Sequence, residues 1–152
     1  LFRSWNMADT LEGGCLCGAV RNEVSGQQMM AGNCFCVDCR KASGTSHGTH
    51  AMFPADDYVQ KGMTKGYSSP ADSGNVVTRH FCPECGCAIH STNSGMPGVV
   101  AIRASSLDDP DSIAPMMTVY ASRAPSWALI EKDKPVFAEM PEGGPQSVMP
   151  GS

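Results

Sequence analysis

The chain has 152 residues, a formal net charge of -4 and 17% charged residues. That length suits one domain, which buries roughly 70% of its unfolded surface, so its eight cysteines are not required as cross-links to make it fold. The acidic balance excludes non-specific nucleic-acid binding, which needs a basic stripe, and no 20-residue apolar run is present to span a membrane.

The first residues, "LFRSWNMADTLEGG", carry no continuous apolar h-region and no cleavage signal. The expected setting is therefore reducing and cytoplasmic, where clustered cysteines read as metal ligands or catalytic thiols. Residues 1–6, ahead of Met7, read as an upstream extension, 7–140 as one domain, and 141–152 as a flexible tail.

Short segments between turn signals such as "SSPADSGN" predict strands over 18–25, 45–52, 64–68, 75–81, 87–92, 98–103 and 116–121. Pro54 followed by Asp56 and Asp57 predicts one helical turn within 54–59. No stretch keeps a long 3.6-residue period. The expected fold class is mainly β, with short antiparallel strands and irregular metal-binding loops.

The cysteines fall into three groups. Cys82 and Cys85 stand in "FCPECGC", where two intervening residues let both thiolates reach one ion and Gly86 permits the tight turn. Cys15 and Cys17 in "GGCLCGAV" can supply the other two ligands, with Gly13, Gly14 and Gly18 allowing the backbone to turn. The result would be a closed structural zinc site; two unlinked pairs of core cysteines are the alternative. Cys34, Cys36 and Cys39 in "CFCVDC" remain. Three thiolates leave one corner of a tetrahedron vacant, as catalytic zinc does. That corner is filled by a substrate thiolate or water, or else it is closed by His47, His50, His80, His90 or Cys87. Redox use of the Cys36–Cys39 pair is the third alternative, although no thioredoxin-like pattern surrounds it.

The three motifs "GGCLCGAVR", "CFCVDCRKASG" and "FCPECGCAIH", in that order, resemble the glutathione-dependent formaldehyde-activating enzyme family. The likeness extends over roughly residues 12–130, to "ASRAPSW". It implies an Mss4-like fold and two zinc ions in the 7–140 domain. Cys15, Cys17, Cys82 and Cys85 would hold the structural ion, and Cys34, Cys36 and Cys39 the catalytic one. It implies a carbon–sulfur lyase joining a small thiol such as glutathione to formaldehyde, giving S-hydroxymethylglutathione. The same metal chemistry on another thiol and carbonyl is the alternative, as is a non-catalytic zinc module that binds a thiol or a protein. Two positions depart from the family: Phe35 stands where histidine is common, and Cys87 where Thr or Ser is common.

Arg40 is the expected anchor for the carboxylate of an anionic thiol, through bidentate pairing, and Lys41 comes second. Arg79 and Arg123 are further candidates. His47 and His50 are three apart on a predicted strand, so both are not expected at one site, and each reads first as an ordinary hydrogen-bonded histidine. Cys87 reads first as a packing residue, with a spare ligand or redox-sensitive thiol as the alternative; Trp127 reads first as core packing, with closure of the pocket as the alternative; Met29, Met30, Met116 and Met117 read as apolar core or surface.

Overall fold

The structure, a computed structural model, describes residues 10–148. The expected 1–6 extension and the last residues of the expected tail lie outside that range. In chain order the strands are β1 (Thr10–Gly14), β2 (Arg21–Ser25), β3 (Met30–Cys34), β4 (Gly48–Pro54), β5 (Tyr58–Lys61), β6 (Lys65–Pro70), β7 (Val76–Phe81), β8 (Ala88–Asn93), β9 (Val99–Arg103) and β10 (Thr118–Val119). The helix α1 spans Val37–Ser43. Among the described residues no helix is long and apolar enough to cross a membrane.

Two sheets form. The smaller has the order β1-β2-β5, and the larger β10-β3-β4-β9-β8-β7-β6. Pairing is antiparallel except between β10 and β3, which run parallel. Strand alternation on β4 and β9 sets the two faces of the large sheet. Ala51, Phe53, Val100 and Ile102 point to one side and pack with Val24 of the small sheet in a closed core. Burying each of the large side chains there contributes roughly 1.5–3 kcal/mol. The intervening residues His50, Met52, Val99 and Ala101 line a cavity on the other side.

Each expected strand has a counterpart, mostly shifted by one to three residues; the last shrinks to the two residues of β10. Three strands, β1, β3 and β5, were not expected. "MAGNC" has no β-branched residue and "TLEGG" has only Thr10, so neither shows the enrichment that marks a strand from sequence. Gly32 on β3 still suits its place, because a Cβ there would stand a tight 3.2 Å from the Met117 carbonyl oxygen and side chain. The helical turn forms as a short 3-10 segment, Ala55–Asp57, after which the chain becomes extended at Tyr58.

The helix α1 corrects the expectation of an irregular loop around the middle cysteines. Cys36 caps its start, accepting the Cys39 N–H, and Gly44 ends it at φ 82°. Asp38 in the first turn and Arg40 and Lys41 in the last turn each complement the helix dipole. Residues 141–148 of the expected tail carry a 3-10 turn, Pro145–Val148.

Candidate metal centres

The first centre joins two turns. After β1 the chain reverses through Cys15 to Gly18, whose φ is 85°. Gly14 must be glycine, because a Cβ there would lie 2.4 Å from the Val20 carbonyl oxygen. After β7, Cys82 accepts the Gly86 N–H at 2.8 Å, and Gly86 takes φ 76°. These turns bring the sulfurs of Cys15, Cys17, Cys82 and Cys85 within 4.8 Å of one another.

The spacing suits zinc. Four sulfurs about 2.3 Å from one ion stand about 3.8 Å apart along each tetrahedral edge. Cys15 and Cys17 are 3.6 Å apart, and Cys17 and Cys82 are 3.8 Å apart. All eight cysteines are free thiols. Backbone N–H groups of Val20 and Glu84 donate to the sulfurs of Cys15 and Cys82 at 3.2 and 3.4 Å, as thiolates require. Desolvation opposes ionisation of Cys15, but the Val20 N–H and the neighbouring thiols draw its pKa down to about 6. An Ala19 backbone bond favours the Cys17 thiolate, yet Cys15 and desolvation push Cys17 up to about 12. Four thiolates are thus not stable together without a cation.

The second centre sits where β3 meets α1. Cys34 ends the strand, Cys36 caps the helix and Cys39 lies in its first turn. Their sulfurs also lie within 4.8 Å of one another. Hydrogen bonds from Cys34 and Cys39 draw Cys36 down to about 2, and the same bond to Cys36 raises Cys34. The bond with Cys34 favours the Cys39 thiolate, but Cys36 and burial outweigh it and raise Cys39 to about 11. Without a cation, then, an ionised Cys36 opposes ionisation of the other two sulfurs. The three-sulfur donor set fits zinc, with one tetrahedral corner left over.

No histidine joins the converging trio. His50 Nε2 lies 3.5 Å from Cys39 Sγ but falls outside the group of mutually close donor atoms. Burial lowers its pKa to about 3, aided by Arg103 and Arg79, so the ring stays neutral. His47 turns away, bonding Ser46 Oγ at 2.9 Å and packing against Phe35 with ring centroids 4.8 Å apart. As expected, the two histidines serve different places. His50, however, is not an ordinary strand histidine.

The three sulfurs open onto a cavity of about 660 Å³. Met30, Met52, Met96 and Met117 give it an apolar wall, and Asn33, Arg79, Tyr120 and Arg123 add polar groups. Arg123 pairs with Asp72 at 2.7 Å and Glu139 at 3.1 Å, and its guanidinium lies 4.8 Å from the centre of the Tyr120 ring. Tyr120 holds φ 57° and ψ 35°, the one non-glycine residue at positive φ among those described. Such backbone strain gathers where surrounding structure fixes a side chain for use. Arg40 and Lys41 stand in the last turn of α1 and are not among the lining residues. Gly144 and Pro145, from the expected tail, are.

A model of the family described as "Glutathione-dependent formaldehyde-activating enzyme" matches residues 10–123. The chain belongs to this family. It is 34% identical over 128 residues to a Halomonas elongata protein named "Putative glutathione-dependent formaldehyde-activating enzyme", covering 80% of this chain and 81% of that one. A crystal structure of a Rhodobacter sphaeroides protein matches with a TM-score of 0.54 at 22% identity, over 69% of this chain and 92% of the other. That likeness concerns the fold, a mainly β architecture.

The two departures from the family pattern have physical explanations. Phe35 is 1% exposed and packs in the interior, not on the cavity wall. Cys87 lies beside the first centre, with its Sγ 3.6 Å from the Ala88 carbonyl oxygen, and burial raises its pKa. It is outside the four-sulfur group. Sequence reasoning missed Arg103, Tyr120 and Met52, and it undervalued His50. Only the cross-strand register that pairs His50 with Arg103 brings these two together beside the second centre.

Proposed function

We propose that this family member is a zinc-dependent carbon–sulfur lyase with two ions per chain, joining a small thiol to a small aldehyde. With glutathione and formaldehyde, the thiol sulfur bonds to the carbonyl carbon, the C=O π bond breaks, and the oxygen gains a proton, giving S-hydroxymethylglutathione. One observation carries this reading: three cysteine sulfurs converge on the wall of a cavity large enough for a thiol, and no fourth protein ligand joins them among the described residues. Zinc held there would lower the pKa of an incoming thiol and orient its sulfur.

The chain's own groups have separable tasks. With Cys39 a metal-bound thiolate, the neutral His50 ring would donate its Nε2–H to that sulfur, 3.5 Å away. Burial raises the Tyr120 pKa, so its hydroxyl stays protonated and is available to donate to the carbonyl oxygen as negative charge develops there. Arg40 and Lys41 are suited to a carboxylate on the part of a longer thiol that extends past α1. The Cys15, Cys17, Cys82 and Cys85 centre clasps the two halves of the fold.

The methionine wall favours a second reading, the same reaction on a thiol with an apolar arm. Methionine side chains adapt to varied apolar shapes. Exchange NMR with glutathione and carbon-13 formaldehyde tests the first reading, and a panel of thiols crossed with small aldehydes tests the second. An approach to equilibrium no faster than in buffer, for every pair, overturns the lyase reading.

A further inference from the structure

Arg103 is 7% exposed, and a buried guanidinium almost always has an anionic partner. Among the described residues, the ion pairs are Arg21–Asp108, Arg123–Asp72, Arg123–Glu139 and Lys134–Glu131. Neither Arg103 nor Arg79 has a carboxylate. Arg79 only reaches Ser69 Oγ, at 3.4 Å.

What attracts Arg103 electrostatically is sulfur: Cys39 and Cys34 of the second centre, and Cys87 beside the first. Arg103 pairs across β4 and β9 with His50, whose ring touches Cys39. Gly48, opposite Cys34 in register, leaves room for both: a Cβ there would stand 2.9 Å from His50 Nε2 and 3.4 Å from Arg103 Nη1. Arg79 lines the cavity that holds Cys36 and Cys39, and it shares a second cavity of about 220 Å³ with Arg103.

We propose that these two arginines are the counter-charges of the three-sulfur centre: Arg103 offsets the thiolates already there, and Arg79 offsets the one that enters. Three thiolates around a divalent ion leave one net negative charge, and a fourth makes two. Two cations in low-dielectric surroundings balance the four-sulfur state. A centre without them would resist a second net negative charge. The preferred visitor is therefore an anionic sulfur, whatever else the thiol carries. Arg79 is then a binding residue for the sulfur itself, and Arg103 a positioning residue that acts through the cysteines. This rests on reading the centre as an open metal site.

The test uses the full chain with cobalt(II) at both centres, read by sulfur-to-cobalt absorption. The probes are 2-mercaptoethanol, which has no carboxylate, and thioglycolate, which has one. Arg103→Gln is expected to lower metal affinity at the three-cysteine centre by about 10–100-fold in chelator competition, leaving the four-cysteine centre unchanged. Arg103→Lys, which keeps the charge, is expected to stay within about threefold of wild type. Arg79→Gln is expected to keep the metal but bind both probes about tenfold more weakly. Wild-type metal affinity in Arg103→Gln, or a loss in Arg103→Lys as large as that in Arg103→Gln, overturns the Arg103 assignment. A loss in Arg79→Gln confined to thioglycolate overturns the Arg79 assignment, since Arg79 would then be a carboxylate anchor. If the wild-type protein holds cobalt but binds neither probe, the lyase reading fails and takes the Arg79 assignment with it; the Arg103 assignment is still decided by metal affinity.

Discussion

His50 Nε2 stands 3.5 Å from Cys39 Sγ and is the histidine in contact with the three-sulfur centre. A neutral imidazole that donates an N–H to a thiolate fixes that sulfur's orientation and removes part of its charge. His50→Ala is therefore expected to weaken metal retention at this centre by about tenfold or more, measured by chelator competition. His50→Gln, which keeps a donor, is expected to recover part of the loss. Equal retention in all three proteins would show that the contact is only packing.

Cys82 and Cys87 separate ligand from neighbour. Cys82→Ser is expected to release one ion per chain and to destabilise the fold by several kcal/mol, because metal binding there is folding free energy. Cys87→Ala removes a sulfur that lies outside both donor groups. It is expected to retain both ions and to lose only about 1 kcal/mol. Metal analysis alongside thermal denaturation checks both, and loss of an ion from Cys87→Ala would make it a ligand.

Much of this was legible because ligand spacing is local. "CLC", "CFCVDC" and "CPEC" carry both donor sets in their own sequence, and glycines mark the turns that close them. The helix α1 was not legible, since seven residues with a cysteine cap show no helical period. Nor was β3, where Gly32 lets Met117 approach closely from a distant segment. The same limit hid Arg103. Its meeting with His50 depends on the β4–β9 register, which no local pattern encodes.

Phe35 shows how a family departure can mislead when only the sequence is read. Histidine at this place would be expected to serve the metal, yet Phe35 is 1% exposed, bonds through its N–H to the Val119 carbonyl oxygen at 3.1 Å and packs on His47. Phe35→His would put a polar ring into an apolar site. It is expected to cost about 1–3 kcal/mol and to give no increase in aldehyde–thiol turnover. A higher rate in that variant, with stability intact, would mean that the ring swings into the cavity.

Tyr120 provides a test of the chemical step that leaves the metal untouched. Tyr120→Phe retains the ring under Arg123 and removes only the hydroxyl. If that hydroxyl donates to the developing oxyanion, kcat falls by about 10²–10³-fold with metal content and KM little changed. Unaltered kcat would reassign the donor to a backbone N–H or to water.

His90 governs part of the acid stability. Burial, reinforced by His80 stacked 4.4 Å away, lowers its pKa to about 4, and Tyr58 Oη lies 3.2 Å from its Nδ1. In the unfolded chain a histidine titrates near 6.5. Between those values the unfolded state binds the proton and the folded state does not, so stability falls as the pH drops from about 6.5 towards 4. Above 6.5 both states are neutral and the contribution is complete. Because the ring is only partly buried, solvent screening leaves about 1–2 kcal/mol of the full effect. Acid would also release metal held at either centre, so the comparison must cancel that loss. Urea denaturation of wild type and His90→Gln at matched pH does so, since both carry the same cysteines. The wild-type curve is expected to fall more steeply than the variant's across this window and to run parallel to it above pH 7. Curves parallel throughout would mean that His90 is protonated in the folded protein, with Tyr58 as its acceptor.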